Sequence, residues 1–335
     1  MRLADGRRLV YCETGPREGS PVFYCHGAIG TPLGRSVDLE LITAAAGIRH
    51  IAVSRPGVGG SDPAPGRTVL SFADDVAQLA DLLAIERFTV VGVSAGGPYA
   101  LAIARRLPDR VERVAACSSL SALCAPHRTP GMQRRVRLAL AALAAAPGVC
   151  AALGELALPL VRLRPELLSQ VIAIHAARSE REHLRDPSER SAASNAFLDA
   201  ATGGVRGMVD DYLTYSRPWG FLPVDVQAEV HLWHGLRDPL VPAEHALQLA
   251  ITLPRCRVFI DPDEGHHFFR RRLGAILAVL TGRQPDAGAG YATSLAAARA
   301  LTAARSGLTR PRAGLPAVDA RPARHPPPGA RSRWE

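Results

Sequence analysis

The chain has 335 residues, enough for one large domain with a deep core, and its 47% hydrophobic and 21% charged residues are ordinary for a globular protein. All 40 basic residues are Arg, which excludes a Schiff-base lysine and a phosphate-loop lysine. The net charge of +9 would suit nucleic acid, but beyond Gly282 nine Arg oppose three acids, a net +6, leaving only +3 on the first 282 residues; no nucleic-acid partner is expected.

In chain order, the opening MRLADGRRLVYCETG has no apolar run, so no secretory signal is expected. Short β-branched runs at Val22–Cys25, His50–Ser54, Phe88–Val93 and Val111–Cys117 predict buried strands. Between them Leu33–Ala46, Phe72–Ile85 and Ala95–Leu107 predict helices, with Ser71 as an N-cap ahead of Asp74 and Asp75. From Ser121 to Val224 the pattern is mostly helical. The apolar stretch Leu138–Val161 is broken by Pro147, Gly148, Gly154, Glu155 and Pro159, which predicts short helices and no membrane span. Strand and helix resume with Val230–His234, Ala243–Leu253 and Arg257–Asp261. Alternation of this kind predicts a mostly parallel sheet with helices on both faces. The expected division is a core of residues 1–120 and 225–282, an inserted helical cap over 121–224, and an Ala/Pro/Arg-rich tail over 283–335 that lacks the large apolar residues a core needs. Within that tail, Tyr291–Arg305 has the pattern of a lone helix.

The six Cys form no CxxC and no Cys/His cluster with zinc spacing, so buried thiols in a reduced, cytoplasmic protein are expected, with no metal. The chemistry gathers elsewhere. Gly92-Val93-Ser94-Ala95-Gly96 follows the strand FTVVG and opens the helix AGGPYALAIARRL. Such a segment forces a sharp turn that presents the serine hydroxyl at the end of the sheet. A serine needs a base, and the base needs an orienting acid. Downstream, LWHGLRDPLVP places Asp238 just beyond one strand, and DPDEGHHFF places His266 just beyond the next.

Five landmarks in order, YCHGAIG, SRPGVGGSD, GVSAGG, LWHGLRDPLVP and DEGHHFF, mean that residues 7–282 resemble the α/β-hydrolase superfamily in its cap-bearing, lipase/esterase-like branch. The resemblance implies an α/β fold with an eight-stranded, mostly parallel sheet and an inserted helical cap. It makes Ser94 the nucleophile, Asp238 the acid and His266 the base, with the amides of Ala28 and Ala95 as oxyanion donors and no cofactor. His267 competes with His266, which the family pattern favours because its base follows glycine directly. Asp225, Asp261 and Asp263 are rival acids; Asp261 lies close to His266 in sequence. His26 and His234 read as hydrogen-bonded structural histidines, Arg55 to Asp62 as a structural turn, and Arg270-Arg271-Arg272 as a solvated helix face. Ser54 stands where many relatives carry Asp, a position that braces loops.

The expected activity is hydrolysis of a small or medium, apolar carboxylic ester through an acyl-enzyme, with a small molecule as the partner. Leu, Ala and Val of the cap, with Phe197, Tyr212, Tyr215, Trp219 and Phe221, either line an apolar site or pack the cap. Carbon–carbon bond hydrolysis and cofactor-free perhydrolysis use the same triad and stay open beside it. A ligand receptor on a hydrolase scaffold is the alternative from another class. Oligomeric state is not legible.

Overall fold

The computed structural model describes residues 1–30, 37–121, 131–175 and 186–282. The tail expected over 283–335 and the residue Cys124 lie outside them. Seven strands form one sheet: β1 Tyr11–Thr14, β2 Ser20–Cys25, β3 Ile48–Val53, β4 Phe88–Val93, β5 Val111–Cys117, β6 Glu229–Gly235 and β7 Cys256–Asp261, in the order β1-β3-β2-β4-β5-β6-β7. β1 runs antiparallel to β3, and every other pair is parallel. The eight strands expected from the resemblance are thus seven among the described residues. N-terminal to β1 there is only an isolated antiparallel bridge, Arg2 to Arg8, around a turn that brings Gly6 N–H to the Leu3 carbonyl.

Parallel strands bury both faces and therefore read as continuous apolar runs. β4 is buried at all six positions and β6 at all seven. One face packs against α2 Phe72–Leu82, α3 Gly96–Arg106 and α9 Ala243–Thr252, through residues such as Val76, Ile103 and Leu249. The other face packs against α1 Val37–Ala45 and α10 Phe268–Leu280, through Ile42, Ile276 and Leu277. The expected strands and helices fall on these elements, and α10 carries the Arg270-Arg271-Arg272 helix face; β1 was not anticipated. Residues 33–36 of the expected first helix lie outside the described residues.

Ser71 stands at the expected N-cap position, directly before α2, but its side chain makes no capping bond to the helix amides. Instead the Thr68 amide donates to Ser71 Oγ (3.0 Å) and the Ser71 amide donates to Thr68 Oγ1 (3.1 Å). This reciprocal pair has the pattern of a capping box, and it closes the turn that leads into α2.

Between β5 and β6 lie α4 Arg134–Ala145, α5 Pro147–Leu163, α6 Glu166–His175, α7 Pro187–Ala200 and α8 Arg206–Tyr215. Among the described residues no single helix is long and apolar enough to cross a membrane; α4 and α5 together pass that test by length and composition, but they meet at a bend of 112°. Tyr212, Tyr215 and Trp219 are buried in the main core, and Phe197 packs against Leu158, Ala201 and Val205, so this aromatic group packs the fold rather than lining an open site.

Because β2 to β7 are parallel, all their C-terminal ends lie along one edge. The strand order reverses between β2 and β4, with β3 on one side and β5 on the other. A crevice forms at such a reversal, flanked by the loops that leave the two strands. Here those loops begin at His26 and Ser94.

Candidate active site

Ser94 is the first residue after β4 and has φ +54°. Among non-glycine residues this left-handed conformation costs about 1–3 kcal/mol and persists only where the surroundings enforce it. Enforcement is visible. The Ser94 amide donates to the Cys117 carbonyl (2.8 Å), and its carbonyl accepts from Gly97 (3.1 Å) and Leu120 (3.3 Å). Helix α3 then starts at Gly96 with no intervening loop. So tight a reversal leaves no space for side chains at its flanks. A Cβ at Gly92 would lie 2.6 Å from the Gly96 carbonyl oxygen and 2.7 Å from Ala100 Cβ. At Gly96 it would strike the carbonyl oxygens of Cys25 and His26. Ser94 is partly exposed, whereas Ala95 and the whole of β4 are buried.

Asp238 and His266 come from the loops after β6 and β7. Asp238 Oδ1 accepts the amides of Leu240 (2.9 Å) and Val241 (2.8 Å), while its Oδ2 lies 2.7 Å from His266 Nδ1. Both residues are buried. Burial alone would raise the Asp238 pKa; the neighbouring His266 charge and hydrogen bond, with the Val241 amide, outweigh it and hold the carboxyl below its ordinary range. The end of β5 ties this pair to the serine. Cys117 accepts the Ser94 amide, and Ser118, the next residue, donates its hydroxyl to the His266 carbonyl (2.9 Å). The predicted serine, acid and histidine therefore end at one edge of the sheet, around β4, β5, β6 and β7.

The rival residues are engaged elsewhere. Asp225 accepts the Leu222 amide (2.9 Å), Asp263 pairs with Arg237 (2.7 Å), and Asp261 pairs with Arg272 (3.4 Å). His267 packs edge-on against His266, with ring centres 5.1 Å apart. His234 Nε2 lies 3.0 Å from the Val241 carbonyl, and His26 Nδ1 lies 2.9 Å from the Gly27 carbonyl. The Arg cluster on α10 is not simply solvated: Arg271 pairs with Glu264 and Arg272 with Asp261. Ala28 follows Gly27, where an added Cβ would sit 3.6 Å from Ser94 Cβ. Ala95 sits at the start of α3, where amide hydrogens have no partner within the helix and the helix dipole favours negative charge.

Several residues around the site escaped sequence reasoning. His245 on α9 accepts the Ser121 amide (3.1 Å) and meets the Ser121 hydroxyl (2.8 Å). Arg55, read as part of a structural turn, is wholly buried and paired with Asp211, 156 residues away. Nothing local announces such a pair; a charged residue inside an otherwise glycine-rich turn is the only hint. Among the described residues no cluster of three or more His, Cys, Asp or Glu is placed to hold a metal ion.

A family model described as the alpha/beta hydrolase fold matches residues 20–270. Among curated proteins, the chain is 35% identical over 124 residues to a non-heme chloroperoxidase from Streptomyces lividans, covering 36% of this chain and 44% of that protein. It is 32% identical over 116 residues to a haloalkane dehalogenase from Psychrobacter cryohalolentis, covering 34% and 38%. The matched parts thus span less than half of either relative. Among solved structures, the enol-lactonase from Burkholderia xenovorans LB400 superposes with a TM-score of 0.60 at 18% identity, covering 83% of this chain and 96% of that one. The Exiguobacterium antarcticum esterase does so with a TM-score of 0.60 at 17% identity, covering 84% and 96%. At these identities the structural likeness speaks for the fold.

Proposed function

Because this chain belongs to the α/β-hydrolase fold family, we propose that it is a serine hydrolase cleaving a small or medium, apolar carboxylic ester through an acyl-enzyme on Ser94. The observation that carries this reading is the 2.7 Å contact between His266 Nδ1 and Asp238 Oδ2, formed across 28 residues at the sheet edge where Ser94 sits. With its proton on Nδ1 and donated to Asp238, His266 carries its basic lone pair on Nε2. That nitrogen takes the Ser94 proton as Oγ attacks the ester carbonyl carbon. The carbonyl oxygen becomes an oxyanion and accepts from the Ala28 and Ala95 amides. His266 then returns its proton to the departing alkoxide, which leaves as the alcohol. In the second half, water attacks the acyl-serine and gives its proton to His266. The intermediate collapses to the acid, and Ser94 recovers the proton. Removing one side-chain oxyanion donor costs about 2.7–4 kcal/mol in a well-studied serine protease, which sets the scale for each such donor. In this reading the helices within 121–224 form a cap over a core of 1–120 and 225–282.

Intact-mass analysis after fluorophosphonate treatment tests the nucleophile. Wild type is expected to gain one adduct and Ser94→Ala none. An adduct that persists on Ser94→Ala, or none on wild type, overturns the assignment.

The likeness to a chloroperoxidase supports a second reading, perhydrolysis on the same residues. There hydrogen peroxide replaces water as the group that attacks the acyl-serine, releasing a peracid. Peracid yield from acetate plus peroxide, against turnover of p-nitrophenyl acetate, separates the two. The likeness to a dehalogenase carries less weight, since relatives with that activity use Asp at the nucleophile position and this chain has Ser94.

A further inference from the structure

Among the described residues Arg55 is the bulkiest of the fully buried side chains, at 0% exposure. Its Nε donates to Asp211 Oδ2 (2.9 Å), and its two terminal nitrogens donate to the carbonyls of His26 and of Gly27, the second at 2.9 Å. The Gly27 carbonyl also faces His26 Nδ1 at 2.9 Å, and His26 Nε2 accepts the Arg55 amide at 3.4 Å. A neutral His26 with its proton on Nδ1 satisfies both contacts. Burial, reinforced by the Arg55 charge, pushes its pKa down to about 3 and keeps it neutral.

The geometry of the peptide turns these contacts into a statement about the site. The Gly27 carbonyl and the Ala28 N–H belong to one planar trans peptide, so they point in opposite directions. Three donors on that carbonyl, from Arg55, His26 and the Gly30 amide (3.3 Å), fix where the N–H aims. Gly27 lies beside Ser94, an added Cβ there sitting 3.6 Å from Ser94 Cβ, so the fixed peptide starts next to the side chain of the proposed nucleophile.

The far end of the network is on α8, the last of the inserted helices. Asp211 accepts from Arg55, from Arg67 (3.0 Å) and from the Tyr99 hydroxyl (2.6 Å), and is 1% exposed. Nearby, a Cβ on Gly207 would collide with the Gly57 carbonyl, and the Gly59 amide donates to the Ala200 carbonyl (3.0 Å). The base of the inserted helices thus sits directly on the turn that begins at Arg55. A buried ionic group of this kind is rarely more stable than apolar packing of equal volume. A directional role gives it a purpose that packing alone would not.

We infer that Arg55, fixed by Asp211 of α8, is a positioning residue for the Ala28 amide, and so couples oxyanion stabilisation to the seating of the inserted helices on the sheet. The inference rests on the serine-hydrolase reading. Arg55→Lys tests it, because an ammonium cannot make three separated, planar contacts. Tyr99→Phe, which removes only the hydroxyl on Asp211, supplies a milder variant if the first does not fold. Rates are normalised to active sites counted by fluorophosphonate, so that unfolded protein drops out. The expected result for Arg55→Lys is a 10- to 100-fold lower kcat on p-nitrophenyl acetate with KM within about threefold of wild type. The inhibition constant of a trifluoromethyl ketone, which forms a tetrahedral oxyanion on serine, should rise by the same factor as kcat falls. For Tyr99→Phe, a two- to fivefold change in both is expected. Unchanged ketone affinity, or a loss confined to KM, overturns the inference while leaving Ser94 as nucleophile. A wild type that takes no fluorophosphonate overturns the underlying reading, and the inference with it.

Discussion

Replacing Asp238 by Asn tests the acid with a change of one atom. The consequence follows from the bonds the carboxylate makes. Oδ1 accepts two backbone amides, from Leu240 and Val241, and Oδ2 faces His266 Nδ1. In the variant the remaining oxygen stays with the two amides, because turning the group over would replace two hydrogen bonds by two facing donors, at about 1 kcal/mol or more each. The new NH2 therefore points at His266 Nδ1 and donates to it. Nδ1 must then be unprotonated, and the imidazole proton moves to Nε2, the nitrogen that should receive the Ser94 proton. The histidine stays in place in the wrong tautomer. In a serine protease the equivalent change costs about 10⁴ in kcat. Here a fall of about 10³ to 10⁴ is expected, or roughly 4–5.5 kcal/mol of barrier at 1.36 kcal/mol per factor of ten. The assay is initial-rate hydrolysis of p-nitrophenyl acetate at pH 8, with a thermal melt beside it. Because both backbone bonds of Asp238 survive, the melt should move little. A kcat within tenfold of wild type, in a variant that melts normally, would refute the tautomer argument and reopen the choice of acid.

Acid should destabilise the fold well before its carboxylates titrate. Burial lowers the pKa of His26 to about 3, and of His50 and His245 to about 4, from an ordinary 6.5. The unfolded chain takes up these protons below 6.5 while the folded chain does not, so stability is full above that pH and declines from there down to about pH 4. At about 1.4 kcal/mol per group per pH unit, the three together remove on the order of 4 kcal/mol by pH 5.5. Denaturant unfolding at pH 7.5 and 5.5 measures this, and equal stabilities would mean the rings are not held neutral. Gly96→Ala forces a methyl group against the backbone of Cys25 and His26. A cost of about 1–3 kcal/mol is expected, read as a drop in Tm, together with lower kcat because the displaced segment leads into Ala28. A Tm unchanged to within a degree would show that α3 has room there.

The chemical residues were legible because each sits in a short local pattern with a mechanical reason. Gly92 and Gly96 flank Ser94 because a strand can turn into a helix that abruptly only where no side chain blocks it. Asp238 and His266 each follow an apolar strand run, and parallel strands send all such ends to one edge. The largely apolar run of β4 marked a strand buried on both faces. Weaker elements escaped for physical reasons as well. β1 is a four-residue edge strand, YCET, too short and mixed to show a period. Ser71 was legible as the N-cap, but not that its hydroxyl would serve Thr68 rather than the helix amides, because only backbone geometry decides which amide a hydroxyl reaches.

The amino-acid order alone therefore determined the layering of the sheet and the types and spacing of the reactive side chains, since both depend on periods and turns spanning a few residues. Tertiary structure decided what no local pattern encodes. It spent Asp225, Asp261 and Asp263 on other partners, put His266 rather than another ring against Asp238, and buried Arg55 against Asp211 and the Gly27 carbonyl. Those outcomes depend on which distant backbone and side-chain groups come within about 3 Å once water is excluded, where an unpaired charge is costly and a partner becomes obligatory.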